Sequence, residues 1–217
     1  MKRTKNPAKE AEYRKRAADL VAQMTLHEKV SQMLSWAPAI ERLGIPAYNW
    51  WSEGIHGVGR AGTATVFPQA IGMAAAFDED MMEQVGNAIG VEARGKYNMC
   101  RAHGDRDIFK GLTVWAPNIN IFRDPRWGRG HETYGEDPFL TSRLGVRFVE
   151  GMQGDDPDYL QAAACAKHFA VHSGPESDRH HFNAIVSKQD LWETYLPAFR
   201  APVSYTHLRA HETSAHL

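Results

Sequence analysis

The segment 48–60 brings together residue types that bind uncharged polar ligands. It holds two tryptophans, a carboxylate and an arginine between glycines: Trp50, Trp51, Glu53 and Arg60. Aromatic faces stack on the C–H surfaces of sugars, while charged groups hydrogen-bond their hydroxyls. A core aromatic pair beside a solvated glutamate would have the same composition. Composition alone therefore favours neither a sugar site nor a structural role.

The segment 116–138 packs arginines, carboxylates and an aromatic residue into a predicted loop. Charged side chains at such density ordinarily pair with one another and fix the loop. We interpret four of them as a structural ion-pair network: Arg123, Asp124, Arg126 and Glu132.

A lysine and a histidine stand at the end of an apolar run. Lys167 and His168 follow residues 162–165, which are predicted to form a buried strand. A parallel strand delivers such side chains to the ligand face of an α/β fold. Both side chains can donate hydrogen bonds to hydroxyl groups. The position of the pair, more than its composition, marks a candidate site.

The segment 171–182 is rich in histidine and raises a metal-binding hypothesis. His172, Asp178 and His180 are residue types that bind zinc. The side chains of the adjacent His180 and His181 diverge, however, and the sequence has no H-E-x-x-H or comparable spacing. We therefore expect no metal and no other cofactor.

Bulk composition excludes several classes of function. The 217 residues carry 25 basic and 26 acidic side chains, a formal charge of -1, which indicates neither a nucleic-acid surface nor an anionic-membrane anchor. No apolar run approaches membrane-spanning length, and the N-terminus shows no secretory signal. Cys100 and Cys165 lack metal-ligand and redox spacing. We expect reduced thiols, a cytoplasmic location and a neutral partner.

Two helices are predicted at the start of the chain. Thr25 and Glu28 form a capping box that separates a first helix over residues 8–24 from a second. The apolar positions of the second helix are Val30, Met33 and Leu34. In the first helix, the spacing predicts a buried stripe of Tyr13, Ala17, Leu20, Val21 and Met24.

Two further helices are predicted over residues 77–97 and 137–152. Asp78 or Asp80 is placed to cap the first of them. Its inward-facing positions are predicted to be Met82, Val85, Ile89 and Val91.

Short apolar runs at 112–116 and 160–171 are predicted to be buried strands. Strands that alternate with amphipathic helices predict parallel pairing and an α/β fold. Within that class we expect the N-terminal part of an incomplete (β/α)8 TIM-like barrel, because a full barrel takes about 250 residues. The predicted division is a helical lead-in at 1–24, a partial barrel domain at 25–201 and a tail at 202–217.

Seven motifs, in their order along residues 24–200, resemble those of glycoside hydrolase family 3, the β-glucosidase and β-xylosidase family. They are Met24-Thr25-Leu26-His27-Glu28-Lys29-Val30, Trp50-Trp51-Ser52-Glu53, Phe67-Pro68-Gln69-Ala70, Arg123-Asp124-Pro125-Arg126-Trp127-Gly128-Arg129, Gly135-Glu136-Asp137-Pro138, Lys167-His168-Phe169 and Glu193-Thr194-Tyr195-Leu196-Pro197-Ala198-Phe199.

The resemblance implies a (β/α)8-like barrel that supplies the subsite for the terminal sugar. The positions that match the family's hydroxyl-binding residues are Glu53, Arg129, Lys167 and His168, with Arg60 and Arg179 as further candidates. A glutamate at position 53 resembles xylosidase-type members more than glucosidases, which place aspartate there. The implied partner is an oligosaccharide or an aryl or alkyl β-glycoside, and the oligomeric state is left open.

The resemblance also implies a retaining mechanism. An aspartate attacks the anomeric carbon to form a glycosyl-enzyme, and a second carboxylic acid serves as acid and base. In the family the aspartate lies in a Ser-Asp-Trp-like motif after a Tyr-Asn-containing segment, and neither is found beyond Arg200. Residues 202–217 instead resemble translated adapter or vector sequence and are expected to be non-native. We expect a fragment of a retaining exo-β-glycosidase that is inactive by itself.

Three alternatives stay open at this point. In the β-N-acetylglucosaminidase branch of the family, the Asp-x-His acid/base dyad has a placement like that of Asp178-Arg179-His180, although this chain lacks that branch's Pro-Gly-His-Gly run. A non-catalytic sugar-binding module would use Trp50, Trp51 and Glu53. A metal-dependent hydrolase would use His172, Asp178 and His180.

Overall fold

The computed structural model describes residues 7–206. Its α-helices are α1 (Pro7–Gln23), α2 (Leu26–Ser31), α3 (Ala70–Ala74), α4 (Glu79–Ala102), α5 (Pro138–Gln153), α6 (Lys188–Asp190) and α7 (Pro197–Thr206). Its strands are β1 (Trp36–Ala37), β2 (Tyr48–Asn49), β3 (Thr113–Val114) and β4 (Ala163–Ala164). Short 3-10 helices occupy Glu41–Leu43, Gly130–Glu132 and Glu176–Asp178, and a π-helical turn spans Leu191–Tyr195.

The first helix lies within one residue of its predicted bounds, and the second begins as predicted but ends at Ser31, before Met33 and Leu34, which were predicted to lie on it. None of the apolar positions predicted to be buried on these helices is buried. The Thr25 hydroxyl accepts from the Glu28 amide at 3.3 Å and the Glu28 carboxylate accepts from the Thr25 amide at 2.8 Å, which confirms the capping box. Tyr13 and Val21 are nevertheless exposed on α1, as is Met33 just after α2. The predicted stripe of α1 is wrong because, within residues 7–206, that face lies against solvent.

Helices α4 and α5 pack against each other and form the centre of the hydrophobic core. Asp78 caps α4 by accepting from the Met81 amide at 2.9 Å, and Asp137 caps α5 by accepting from the Leu140 amide at 2.7 Å. Of the four predicted inward positions on α4, Met82, Val85 and Ile89 are buried. Val91 is exposed, because two residues beyond Ile89 the helix has turned its side chain to the opposite face.

The strands confirm parallel pairing across a helical crossover. β3 and β4 are parallel, with Thr113 opposite Ala163, and α5 connects them along the chain. Ser52 forms a parallel bridge to Val114 on the other side of β3. Three chain segments therefore run side by side in one direction, while β1 and β2 pair antiparallel. This is a mixed α/β fold, and a closed barrel is not seen within residues 7–206.

The end of the described chain is helical. α7 continues through Pro202 to Thr206, and the remainder of the predicted tail, 207–217, lies outside the described residues. Nothing in this helix tests whether the tail is native, so the predicted division of the chain stays a prediction. No helix in the range 7–206 combines the length and hydropathy needed to cross a bilayer.

Candidate functional site

The carboxyl ends of the three parallel segments open into one cavity of about 790 Å³. The segment after Ser52, the segment after β3 and the segment after β4 each deliver side chains to it, as expected for parallel strands. Its polar and aromatic lining includes Trp51, Glu53, Trp115, Arg129, Lys167 and His168. The four residues predicted most directly as a sugar site therefore meet in space.

Glu53 lies between an indole and an ammonium group. The Trp51 Nε1–H donates to Glu53 Oε1 at 2.9 Å. The Lys167 Nζ lies 3.6 Å from Glu53 Oε2, an ion pair slightly longer than a hydrogen bond. The carboxylate is thereby oriented at one wall of the cavity and keeps lone pairs available to accept from hydroxyl groups.

Lys167 is buried at the end of β4, with 3% of its surface exposed. Its backbone is anchored to the neighbouring segment by the bond from its amide to the Pro117 carbonyl at 3.0 Å. Burial lowers the pKa of Lys167, the charge of Glu53 opposes this effect, and the charge of Arg129 adds to it. The cavity thus contains an ammonium group whose charged form depends on nearby polar groups for stabilisation.

Arg129 is held in the cavity wall by two neighbours. Its Nε and Nη2 groups donate to the two carboxylate oxygens of Glu132, and its Nη1 group hydrogen-bonds His168 Nε2 at 3.0 Å. Burial of Glu132 favours its neutral acid, but the Arg129 hydrogen bonds and charge outweigh this and lower the Glu132 pKa. The predicted ion-pair role of Glu132 is confirmed, with Arg129 as the partner.

The rest of the predicted ion-pair network lies beside the cavity. Asp124 accepts from the Arg126 guanidinium at 2.8 Å, and this side-chain contact, together with the bond from the Arg126 amide, lowers the Asp124 pKa to about 2. Arg123 departs from the predicted network, because its guanidinium lies over the rings of Phe182 and Tyr195 instead. These contacts fasten the loop that carries Arg129.

Of the predicted tryptophan pair, one member lines the cavity. Trp51 stacks on Trp115, with ring centroids 4.6 Å apart and an interplanar angle of 22°. Trp50 instead packs edge-on against Tyr48 and is absent from the lining. The sequence predicts Trp115 as part of a buried strand, and its position directly after β3 is the feature that indicates a site role.

Arg60 and Arg179 have different positions. Arg179 lines the cavity and pairs with Glu176 at 3.0 Å. Arg60 does not line it, and its guanidinium lies 5.3 Å from the Phe109 ring centroid. The position of Arg60 is a correction to the predicted site: the glycine-rich turn after Glu53 carries this side chain away from the cavity.

The histidine-rich segment lines the cavity in part. His172 and His180 reach it, and the His172 ring lies 4.6 Å from the His168 ring, centroid to centroid. Among residues 7–206, no three His, Cys, Asp or Glu side chains are grouped so as to hold a metal ion. The metal-dependent alternative therefore gains no support from this part of the chain.

Asn120 contributes to the site and was not among its predicted residues. The Lys167–His168 and Phe169–Ala170 peptide bonds are both cis, and the Asn120 amide contacts this segment. Asn120 is itself buried, with 3% of its surface exposed. The only sequence signal was its place four residues after the run 112–116, among other polar residues.

This chain is similar in sequence to known proteins over most of its length. A model described as the glycosyl hydrolase family 3 N-terminal domain matches residues 16–210. A xylan 1,4-β-xylosidase from Xylanibacter ruminicola is 50% identical over 200 residues, covering 90% of this chain and 23% of that protein. The probable β-D-xylosidase 7 of Arabidopsis thaliana is 49% identical over 206 residues, covering 86% of this chain and 26% of its own length.

A solved structure is similar over the same region. A GH3 exo-β-xylosidase in complex with a xylobiose aziridine activity-based probe matches with a TM-score of 0.76 and 35% identity. The match covers 87% of this chain and 25% of that one. The chain thus spans about a quarter of the length of the relatives it matches.

Proposed function

The chain belongs to glycosyl hydrolase family 3, as its motifs predicted, and on this premise we propose that it is part of a retaining exo-β-glycosidase. The proposed parent protein removes terminal non-reducing sugars from oligosaccharides or from aryl and alkyl β-glycosides. A β-xylosidase is the preferred assignment and a β-glucosidase the alternative. In the parent, the described residues form the N-terminal part of a (β/α)8-type barrel.

One observation carries this proposal: Glu53, Arg129, Lys167 and His168 share a single cavity with a stacked tryptophan pair. A sugar ring needs acceptors and donors for vicinal hydroxyls and an aromatic surface for its C–H face. Glu53 supplies the acceptor, and Lys167 and Arg129 supply donors. The arrangement suits a neutral, hydroxylated ligand, because one anionic and one cationic group already face each other there at 3.6 Å.

Two observations support xylose over glucose. Position 53 is a glutamate within Trp50-Trp51-Ser52-Glu53, which resembles xylosidase-type members more than glucosidase-type members, where aspartate stands at this position. The relatives from Xylanibacter ruminicola and Arabidopsis thaliana are both named as xylosidases. We propose that the parent acts on terminal β-linked xylose.

In this proposal the chain binds and orients the sugar, and the catalytic carboxylates lie in a part of the parent outside this sequence. Retention requires a carboxylate that attacks the anomeric carbon and an acid that protonates the leaving oxygen. Without the nucleophile the covalent route is closed. The isolated 217-residue chain should therefore not hydrolyse glycosides, and its partial cavity should bind free xylose only weakly.

The test has two steps. First, the source locus is sequenced past the codon for Arg200. A continued reading frame that encodes a Tyr-Asn segment and then a Ser-Asp-Trp-like motif is the expected result. The extended protein is then assayed on an aryl β-xyloside beside the 217-residue chain. Activity of the extended protein alone, lost on Glu53→Ala, is the expected result. Turnover by the pure 217-residue chain would overturn the division of roles.

A non-catalytic sugar-binding module is the second candidate, because Trp51, Trp115 and Glu53 alone could hold a sugar. Calorimetric titration of the 217-residue chain with xylose and with glucose separates the two functions. Tight binding by this chain would favour the module, and weak binding favours part of an enzyme.

The cytoplasmic location proposed from the sequence is tested separately, by cell fractionation of the source organism.

A further inference from the structure

The Asn120 side chain uses both ends of its amide on the segment that follows β4. Its Nδ2 group donates to the His168 carbonyl and to the Ala170 carbonyl, each at 2.9 Å. Its Oδ1 accepts from the His168 amide at 2.6 Å and lies 3.2 Å from His168 Nδ1. An amide has two N–H donors and one acceptor oxygen, so this pattern uses every donor it has.

These contacts determine which way the amide faces. A flipped Asn120 would set its oxygen against two carbonyl oxygens and its NH2 group against a backbone N–H, so the flipped orientation is excluded. With Oδ1 facing the ring, a hydrogen bond to His168 Nδ1 requires that this nitrogen carry the proton. In the neutral ring Nε2 is then the acceptor.

The other side of the ring agrees with this assignment. Arg129 has no acceptor atom, so its Nη1 group, 3.0 Å from His168 Nε2, must be the donor there. Glu132 occupies the Nε group and one Nη2 hydrogen of the same guanidinium. Of the five N–H groups of Arg129, three are thus directed by His168 and Glu132, and two remain, one on Nη1 and one on Nη2.

We propose that Asn120 is a positioning residue of the cavity, which fixes the ring orientation and tautomer of His168 and thereby the direction of the remaining Arg129 donors. Asn120 does not touch the ligand in this arrangement. Both ring nitrogens of His168 have partners within the chain, so a change of tautomer alters the hydrogen bond that Arg129 donates to Nε2. The consequence of this positioning for sugar binding rests on the proposed function, whereas the tautomer of His168 is independent of it.

The tautomer is measured in the 217-residue chain by ¹⁵N–¹H correlation of the histidine side chains, where protonated and unprotonated ring nitrogens have well-separated shifts. His168→Ala identifies the signals. We expect Nδ1–H at slightly alkaline pH in the wild type. In Asn120→Ala the loss of one hydrogen bond should shift the tautomer ratio toward Nε2–H about fivefold. The Arg129 Nε–H signal should move with it.

Two variants separate positioning from general stability. Asn120→Asp keeps an acceptor for Nδ1–H but loses both donors, so it should retain the wild-type tautomer. Asn98→Ala, on an exposed position of α4, should leave both the His168 and the Arg129 signals unchanged. If Asn120→Ala does not fold, the His168 tautomers of the wild type and of Asn120→Asp still test the proposal. An Nε2–H ring in either of them, or an unchanged ratio in a folded Asn120→Ala, would overturn the proposal.

Addition of xylose up to near its solubility limit, because the partial cavity is expected to bind it only weakly, distinguishes this proposal from the proposed function. A shift of the Arg129 Nε–H signal that is weaker in Asn120→Ala supports both. No shift with any sugar would count against a sugar cavity, while the tautomer results would still decide the role of Asn120. A xylose response of equal strength in wild type and Asn120→Ala, despite a changed tautomer, would overturn the positioning of Arg129.

Discussion

Lys167 shows how a single residue in the cavity balances binding against stability. Its ammonium is buried, and the Glu53 carboxylate 3.6 Å away is the main group that stabilises its charge. Replacing a whole buried ion pair by apolar side chains is often neutral or stabilising, whereas removing one partner is costly when the other charge stays buried. Glu53, at 33% side-chain exposure, would remain solvated after such a change.

We therefore predict that Lys167→Met stabilises the chain by about 1 kcal/mol at neutral pH while abolishing sugar binding in the extended protein. The gain depends on pH. Burial lowers the Lys167 pKa below 10.5, so between the lowered pKa and 10.5 the unfolded chain binds more protons than the folded chain. Wild-type stability then rises with pH, and the advantage of Lys167→Met shrinks toward pH 10.5. Urea denaturation across this range measures it.

Lys188→Met is the matched control for Lys167→Met. Lys188 is exposed at the start of α6. Its replacement should change stability little at any pH, as for most surface substitutions. A pH-independent difference between wild type and Lys167→Met would contradict the assigned burial effect.

At the scale of elements, the contact between α4 and α5 depends on glycines. A Cβ on Gly86 would lie 2.3 Å from the Phe148 carbonyl oxygen, and one on Gly151 would lie 2.0 Å from the Glu83 carbonyl oxygen. These are backbone atoms of the facing helix, which cannot rotate aside. The helices therefore approach closely because neither carries a side chain at its contact point.

We predict that Gly86→Ala lowers the free energy of unfolding by roughly 2 kcal/mol, through separation of the two helices. Gly95→Ala is the internal control on the same helix, where nothing lies within 4 Å of the added Cβ. That variant should raise stability by roughly 0.5 kcal/mol or more, because alanine is the better helix former. Denaturant unfolding of both variants tests the contact, and a stable Gly86→Ala would contradict it.

The start of α2 carries the second element-scale prediction. Hydrogen bonds from Arg42, and then from the Thr25 amide, lower the Glu28 pKa to about 2. A lowered carboxyl pKa contributes stability above the ordinary value of 4.5 that is lost as pH falls from 4.5 toward 2. Glu28→Gln should therefore be less stable than wild type at neutral pH, with a difference that narrows in this acid window.

The measurement is urea unfolding of wild type and Glu28→Gln between neutral pH and pH 2, at low and high salt. Salt should weaken the effect, because the Glu28–Arg42 pair is at the surface. Glu41→Gln, on the following 3-10 helix, serves as the control variant. Identical pH profiles for Glu28→Gln and wild type would show that the capping contacts do not persist in solution.

Helix caps could be predicted from the sequence, whereas the buried faces of helices could be predicted only in part. Thr25 could be predicted as a cap, and Asp78 as one of two candidates, because a cap is made within four residues of chain. The exposure of Tyr13 and Val91 was not, because periodicity identifies an apolar stripe without identifying what packs on it. Whether a helix face is buried depends on the element that packs against it as well as on the helix itself.

At the scale of the whole molecule, the same distinction applies to the site. Motif order predicted that Glu53, Arg129, Lys167 and His168 belong together, and the strand ends bring them to one cavity. Asn120 was unpredictable because its hydrogen bonds reach residues 48 and 50 positions away. Neither periodicity nor motif spacing encodes such pairings. The sugar-binding roles of Glu53, Arg129, Lys167 and His168 stay predictions until binding is measured.

Helix α2 and the residues just after it expose several apolar side chains. Leu26 and Val30 lie one turn apart on α2, and Met33 and Leu34 follow, all more than half exposed. Contiguous apolar patches of this kind drive association, whereas isolated exposed side chains do not. The patch formed by these four residues should therefore make the isolated 217-residue chain associate with itself.

We predict that sedimentation velocity shows concentration-dependent association of the 217-residue chain, and that combining Val30→Lys with Met33→Lys reduces it. Two lysines interrupt the apolar patch and place like charges opposite each other wherever two copies meet through it, without changing a buried contact. Ile185→Lys, at an exposed position outside the patch, should leave association unchanged. Equal effects of Ile185→Lys and the double variant would mean that net charge, and not the α2 patch, governs association. If the chain is monomeric at every concentration, the exposed apolar patch does not drive association.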